Sequence, residues 1–151
     1  IGEGSVILEN TRFGRLTIDP AKIISMPSSM PGFPGKRRFI VLERPETWPF
    51  FYFQCVDDPQ LAFVIMDPFL FEKGYAVDLE RCIAEMGWEG DRPEDLRIYV
   101  IVNAADGVPD KITANLLGPL ILNPTRGEAH QMVLHKSPYS HRHPVFRKSA
   151  A

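Results

Sequence analysis

Hydrophobic residues in the first part of the chain recur at every second position, the period of a half-buried strand. Val6 and Leu8 alternate with polar neighbours in SVILEN, and Leu16 and Ile18 do the same in RLTID. Asn10 and Gly14 bound the link between them, so the two runs are predicted to pair as a hairpin. A short strand is expected over Ile23–Met26, followed by the loop MPSSMPGFPGKRRF, whose Pro27, Pro31, Pro34, Gly32 and Gly35 exclude helix and central strand alike. RFIVLE (Arg38–Glu43) is the next strand. Phe50–Cys55 and Leu61–Asp67 follow, apolar on both faces as buried strands are, with a Val56–Gln60 turn between them.

The period then changes. Leu79, Cys82, Ile83 and Met86 fall at i, i+3, i+4 and i+7, one apolar stripe of a helix. Asp78 suits the N-cap and Gly87 the stop. A Gly-, Pro- and acid-rich loop leads to LRIYVIVN, a buried strand. Ile112, Ala114 and Leu116 alternate in another, and LILN, a turn at Asn123–Gly127 and HQMVLH (His130–His135) make a second hairpin. The sum is about nine short strands and one helix without βαβ alternation. The predicted fold is mostly β: a small antiparallel β-barrel-like domain with one short amphipathic helix, because closure removes exposed strand edges. Residues 1–136 form the single domain, and 137–151 a polar, basic, irregular tail.

Composition narrows the setting. A chain of 151 residues suits one domain, since domains run about 100–200 residues. Cys55 and Cys82 are too few for a disulfide framework and sit in core-like surroundings, which points to a reducing, cytoplasmic setting. IGEGSVILEN lacks the pattern of a secretory leader, and the apolar run Leu61–Met66 is far below the roughly 20 residues of a membrane span. Nothing demands more than a monomer. Charge is uneven: residues 72–95 hold eight acids against Lys73, Arg81 and Arg92, a net −5, whereas residues 126–151 carry a net +4. The acidic stretch reads as a solvated helix face or as a docking surface for a basic partner.

Catalytic signatures are sparse. GxGxxG, GxxxxGK[ST] and GxSxG are all absent. A nucleophilic cysteine would need a histidine from the tail, because His130, His135, His141 and His143 all lie in the last 22 residues. Those histidines are the candidate metal ligands, and a metal-binding enzyme is the alternative reading. Asp57 and Asp58 form a possible dyad but precede Pro59 in a turn, where adjacent side chains point apart. Tyr139 and Phe146 among basic residues could stack bases, making a direct RNA-binding module a further alternative, which the acidic segment opposes.

Four stretches together resemble one family. MPGFPGKRRF (Met30–Phe39) is similar to its proline-glycine loop. Pro49–Tyr75 resembles its central aromatic strand, DDP turn, apolar strand and D-P-x-x-F followed by tyrosine. Thr113–Leu134 resembles its N-L-x-x-P hairpin with Gln-x-Val, and Tyr139–Pro144 its closing Y-x-x-R-x-P. The family is that of the flagellar assembly factor FliW. Gly118 and Leu122 depart mildly from its pattern. The resemblance implies a non-enzymatic protein without cofactor, bound by flagellin and, once freed, by the translational repressor CsrA. The acidic segment and the short apolar runs argue against direct contact with nucleic acid or membrane. From the residues, Phe33, Phe69, Phe71 and Tyr75 are candidate aromatic anchors for flagellin's amphipathic helices, each with a core role as the alternative. The acidic residues from Glu72 through Asp95, with Asp57, Asp58 and Asp67, are candidates for docking beside CsrA's basic surface.

Overall fold

Strands form where hydrophobic and polar residues alternate. β1 (Val6–Thr11) and β2 (Gly14–Ile18) make the first hairpin, Val6 opposite Ile18 and Leu8 opposite Leu16. The computed structural model describes residues 4–103 and 111–146. Within these, β3 (Ile24–Ser25), β4 (Arg38–Glu43), β5 (Phe51–Cys55), β6 (Ala62–Met66) and β7 (Arg97–Asn103) are followed by β8 (Thr113–Ala114), β9 (Leu120–Asn123), β10 (Glu128–Gln131) and β11 (His143–Pro144). Seven of them close a ring in the order β7-β6-β5-β4-β3-β10-β9, with β9 returning to β7. The pairings are antiparallel except for one parallel contact, Glu128 against Ser25, where β10 meets β3.

Both faces of the central strands are apolar because both are covered. Phe39, Phe53, Cys55, Ile65, Leu120 and Leu122 fill the interior, with the Phe39 and Phe53 rings stacked at 4.4 Å and Met26 and Met30 packed among them. On the outside, the β1–β2 hairpin lays Leu8 and Ile18 over Ile40 and Val56. Elsewhere α1 (Leu79–Met86) and Trp88 cover Ile121 and Met132. Deeply buried aromatic and aliphatic side chains contribute about 1.5–3 kcal/mol each relative to exposure, so this double layer dominates stability.

α1 is delimited as its sequence predicts. The Asp78 carboxylate accepts the Arg81 N–H at 3.0 Å, and Gly87 adopts φ 70°. Trp88 N–H then donates to Ile83 C=O and Gly87 N–H to Ala84 C=O, the paired bonds of a Schellman stop. Several strands are shorter than expected, β3 among them, which keeps only Ile24–Ser25 of the expected Ile23–Met26. Asn115 turns the chain after Ala114 by accepting the Leu117 N–H, and Pro119, with no N–H of its own, reduces its pair with Met132 to the single bond from Met132 N–H to Pro119 C=O at 2.9 Å.

Residues 137–146, expected as irregular tail, are mostly turn yet firmly attached. β11 pairs with β8, Val145 is buried, and the Tyr139 hydroxyl accepts the Ala76 N–H at 2.8 Å. Arg147 and Lys148 of the expected basic tail lie outside the described residues.

Candidate interaction surface

The antiparallel register sorts the barrel's loops into two ends. The β3–β4 and β5–β6 loops lie at one. The β4–β5 loop, the segment after β6 and the β9–β10 turn lie at the other. The candidate residues divide accordingly. Phe33, Asp57 and Asp58 share the first end, whereas Asp67 and Phe69 occupy the second. Phe71, Glu72 and Tyr75 lie beneath the C-terminal segment, so no single patch unites all eight.

At the first end the carboxylates organise the chain. Asp57 accepts the N–H groups of Arg37 and Arg38, each at 3.0 Å, and pairs with the Arg38 guanidinium at 2.8 Å. Partial burial pushes its pKa up, but the bonds from Arg37 and Arg38 more than offset this and hold it below the ordinary carboxylate value. Asp58 accepts the Gln60 N–H and lies 3.7 Å from Lys36. The two carboxyls thus serve different partners in a turn and share no pocket. Phe33 sits edge-on to Phe63 at 5.2 Å, with its outer face in solvent.

Tyr75 is placed in the core. It is 4% exposed, its hydroxyl donates to Leu116 C=O at 2.6 Å, and its ring meets Tyr139 at 4.8 Å. As an exposed anchor it is therefore unsuited, because the C-terminal segment brings Tyr139 onto it. Phe71 is half-buried against the His143 ring at 5.6 Å, and Glu72 Oε2 lies 3.9 Å from His143 Nε2.

The second end presents the open apolar surface. Asp67 accepts the Phe69 N–H at 2.8 Å and starts a 3₁₀ turn, Pro68–Leu70, that swings Phe69 and Leu70 outward. Across a cleft of about 400 Å³ stands Trp48, followed by the cis-linked Pro49; Glu43, Phe51, Arg97, Ile98 and Tyr99 complete the walls. Trp48 is 68% exposed, Leu70 49% and Phe69 40%. Large apolar side chains gathered this openly mark an interaction site more often than isolated ones do. Sequence reasoning found Phe69 here and missed Trp48 and Leu70. The available signal was Trp48 itself, an aromatic lying outside the alternation of the strands on either side.

The acidic stretch 72–95 is partly neutralised in place. Asp91 bonds Arg126 at 2.6 Å and Asn123 at 2.8 Å, which lowers its pKa. Glu85 lies near Arg81 and His130, and Glu94 pairs with Arg92. Glu80, Glu89 and Asp95 are exposed and form no salt bridge among the described residues. His130 and His143 thus each face a glutamate. No group of three or more His, Cys, Asp or Glu among the described residues is arranged to hold a metal ion. Burial lifts the Cys82 thiol to about 12 and raises Cys55 as well, which keeps both protonated and poor as nucleophiles. No helix among the described residues is long and apolar enough to cross a membrane.

Fold and surface together define a small closed β-barrel domain with a solvent-open apolar groove at one end and an acidic flank. The family model described as FliW protein matches residues 7–145. The chain belongs to the FliW family of flagellar assembly factors. It is 39% identical over 139 residues to the flagellar assembly factor FliW of Moorella thermoacetica, covering 92% of this chain and 87% of that protein. It is 36% identical over 140 residues to that of Bacillus subtilis, covering 93% and 96%. A solved crystal structure of the flagellar assembly factor FliW superposes with a TM-score of 0.83 at 29% identity, covering 97% of this chain and 100% of that one.

Proposed function

We propose that this protein is a non-enzymatic cytoplasmic regulator that binds flagellin and, when flagellin is exported, binds CsrA and relieves its repression of flagellin translation. What carries the reading is the Trp48–Phe69–Leu70 groove in a member of a flagellar assembly family. Flagellin's terminal segments are amphipathic helices, and an apolar groove with aromatic anchors suits the face of such a helix. CsrA's RNA-binding surface is basic, and the acids Glu80, Glu89 and Asp95 supply the complementary charge. Two partners that exclude one another are reciprocally coupled, so free flagellin sets the CsrA-bound fraction by mass action without covalent chemistry.

Calorimetric titration with flagellin tests the groove. Leu70→Asp and Trp48→Ala are expected to weaken binding at least about tenfold each, as truncation of a central anchor does. Thermal stability should barely move, because both side chains are largely exposed. Unchanged flagellin affinity in both variants refutes the groove assignment.

A further inference from the structure

The β1–β2 hairpin stands apart from the ring. Among the described residues its strands pair with each other and form a sheet of their own, with no backbone ladder to the other nine strands. Side chains hold it in place instead. Leu8 and Ile18 lie on Ile40 and Val56, the Phe13 ring meets Tyr52 at 4.8 Å, and Gln60 Nε2 donates to Asn10 C=O. An isolated two-stranded hairpin is marginal in water, so this one keeps its ladder only while it is seated.

Two buried polar atoms without a hydrogen-bond partner in the protein, Gln54 Oε1 and Arg44 Nε, lie beneath this hairpin. Gln54 is fully buried. On β5 it sits between Tyr52 and Val56 and opposite Ile40, all of which touch the hairpin, so its side chain leaves the sheet on that side. Its Nε2 donates to the carbonyls of Cys55, Pro59 and Leu61 at 2.9, 3.0 and 3.2 Å. Three acceptors around the nitrogen fix the orientation of the amide and leave Oε1 as the unpaired atom. The Arg44 guanidinium carbon lies 5.1 Å from the centroid of the Phe13 ring. A buried polar group without a partner disfavours the state that buries it, and water relieves it on opening.

We infer that the hairpin is a lid, which lifts as a unit from β4 and β5 while the ring of seven strands stays closed. Burial of Leu8 and Ile18 draws it shut, and the two unpaired polar atoms work against that burial. The open form is therefore a minor state of the native protein, reached without unfolding the barrel. Opening bares Ile40 and Val56 and hydrates Gln54 Oε1 and Arg44 Nε. The hinge is the link between β2 and β3, where the 3₁₀ turn Pro20–Lys22 buries none of its residues. The Gln60 tether belongs to the β5–β6 loop, which couples the lid to the barrel end that carries Asp57 and Asp58. The lid rests on no partner assignment.

Native-state amide exchange on the ¹⁵N-labelled full chain tests the lid. Amides of the β1–β2 ladder are expected to exchange as a group at least about a hundredfold faster than those of β5 and β7, with the weak denaturant dependence of a local opening. Phe13→Ala removes the ring from Tyr52 and Arg44, and Gln60→Ala cuts the tether. Each should speed the ladder severalfold and leave β5 and β7 unchanged. Arg44→Met keeps an unbranched stem beneath Phe13 and discards the buried Nε, so it should slow the ladder. Ladder amides that share the rate and denaturant dependence of β5 and β7 overturn the inference, because hairpin and ring then open together. Loss of protection in β5 and β7 along with the ladder in Phe13→Ala and Gln60→Ala overturns it as well. Acceleration of the ladder by Arg44→Met would make Arg44 a clamp and refute the opposition of buried polar atoms to closure.

Discussion

Asp57 and Tyr75 show how a residue with a suitable functional type can be committed to structure. Three groups from Arg37 and Arg38 converge on the Asp57 carboxylate and hold the β3–β4 loop against the end of β5. Its folded pKa lies below the ordinary 3.8, so its ionised form stabilises the native state. That contribution is complete above the unfolded value and disappears as pH falls through the lower folded one. Asp57→Asn should therefore destabilise the protein at neutral pH. The difference from the parent chain should shrink only below about pH 4, which denaturant melts across pH 2–7 would measure. Tyr75 was a plausible anchor by type and loop position. Its burial comes from Leu116 and Tyr139, 41 and 64 positions away, and nothing near Tyr75 in sequence encodes them.

At the scale of elements, α1 was readable to the residue because its signals are local. A stripe at i, i+3, i+4, i+7, an Asp N-cap and a glycine stop all act within one or two turns. The residue after the stop locks the helix in place. Trp88, fully buried, donates its indole N–H to Glu128 at 2.7 Å and so ties the end of α1 to β10. Gly87→Ala should cost roughly 1–2 kcal/mol, because the left-handed conformation at φ 70° crowds a Cβ. Trp88→Ala should cost roughly 3–5 kcal/mol through the cavity it leaves and the stranded Glu128 carboxylate. Chemical denaturation resolves both, and near-equal losses would contradict this division of roles. The shorter strands teach the converse. Alternation continues past Ala114 and Gln131, yet Asn115 turns the chain with its side chain, and Pro119, lacking an N–H, leaves only the Met132 N–H to bond across.

Considered whole, the molecule is electrically divided. Acids from Glu80 to Asp95 cluster on α1 and the loop after it, and some are already paired. Exposed charges interact over about 8 Å at physiological ionic strength, so what remains acts mainly on encounter. If CsrA docks on this flank, stopped-flow association should slow steeply between about 50 and 500 mM salt, with dissociation changing much less. A salt-independent association rate would remove the acidic flank from the CsrA model. Flagellin titrated into the CsrA complex should release CsrA in proportion to its own binding; coexistence of both on one chain would defeat mutual exclusion.

The sequence by itself determined the β-rich class and the boundaries of α1, because alternation and capping act between near neighbours, and it determined the family through the order and spacing of four motifs; it did not give β11 or the 3₁₀ turns. Only the tertiary structure decided which side chains share a surface. Closure of the ring sends Phe33 and Asp57 to one end and Phe69 to the other. It seats Tyr75 under Tyr139 and exposes Trp48 beside Leu70. Such neighbourhoods depend on contacts between distant positions, and no local pattern in a single chain records them.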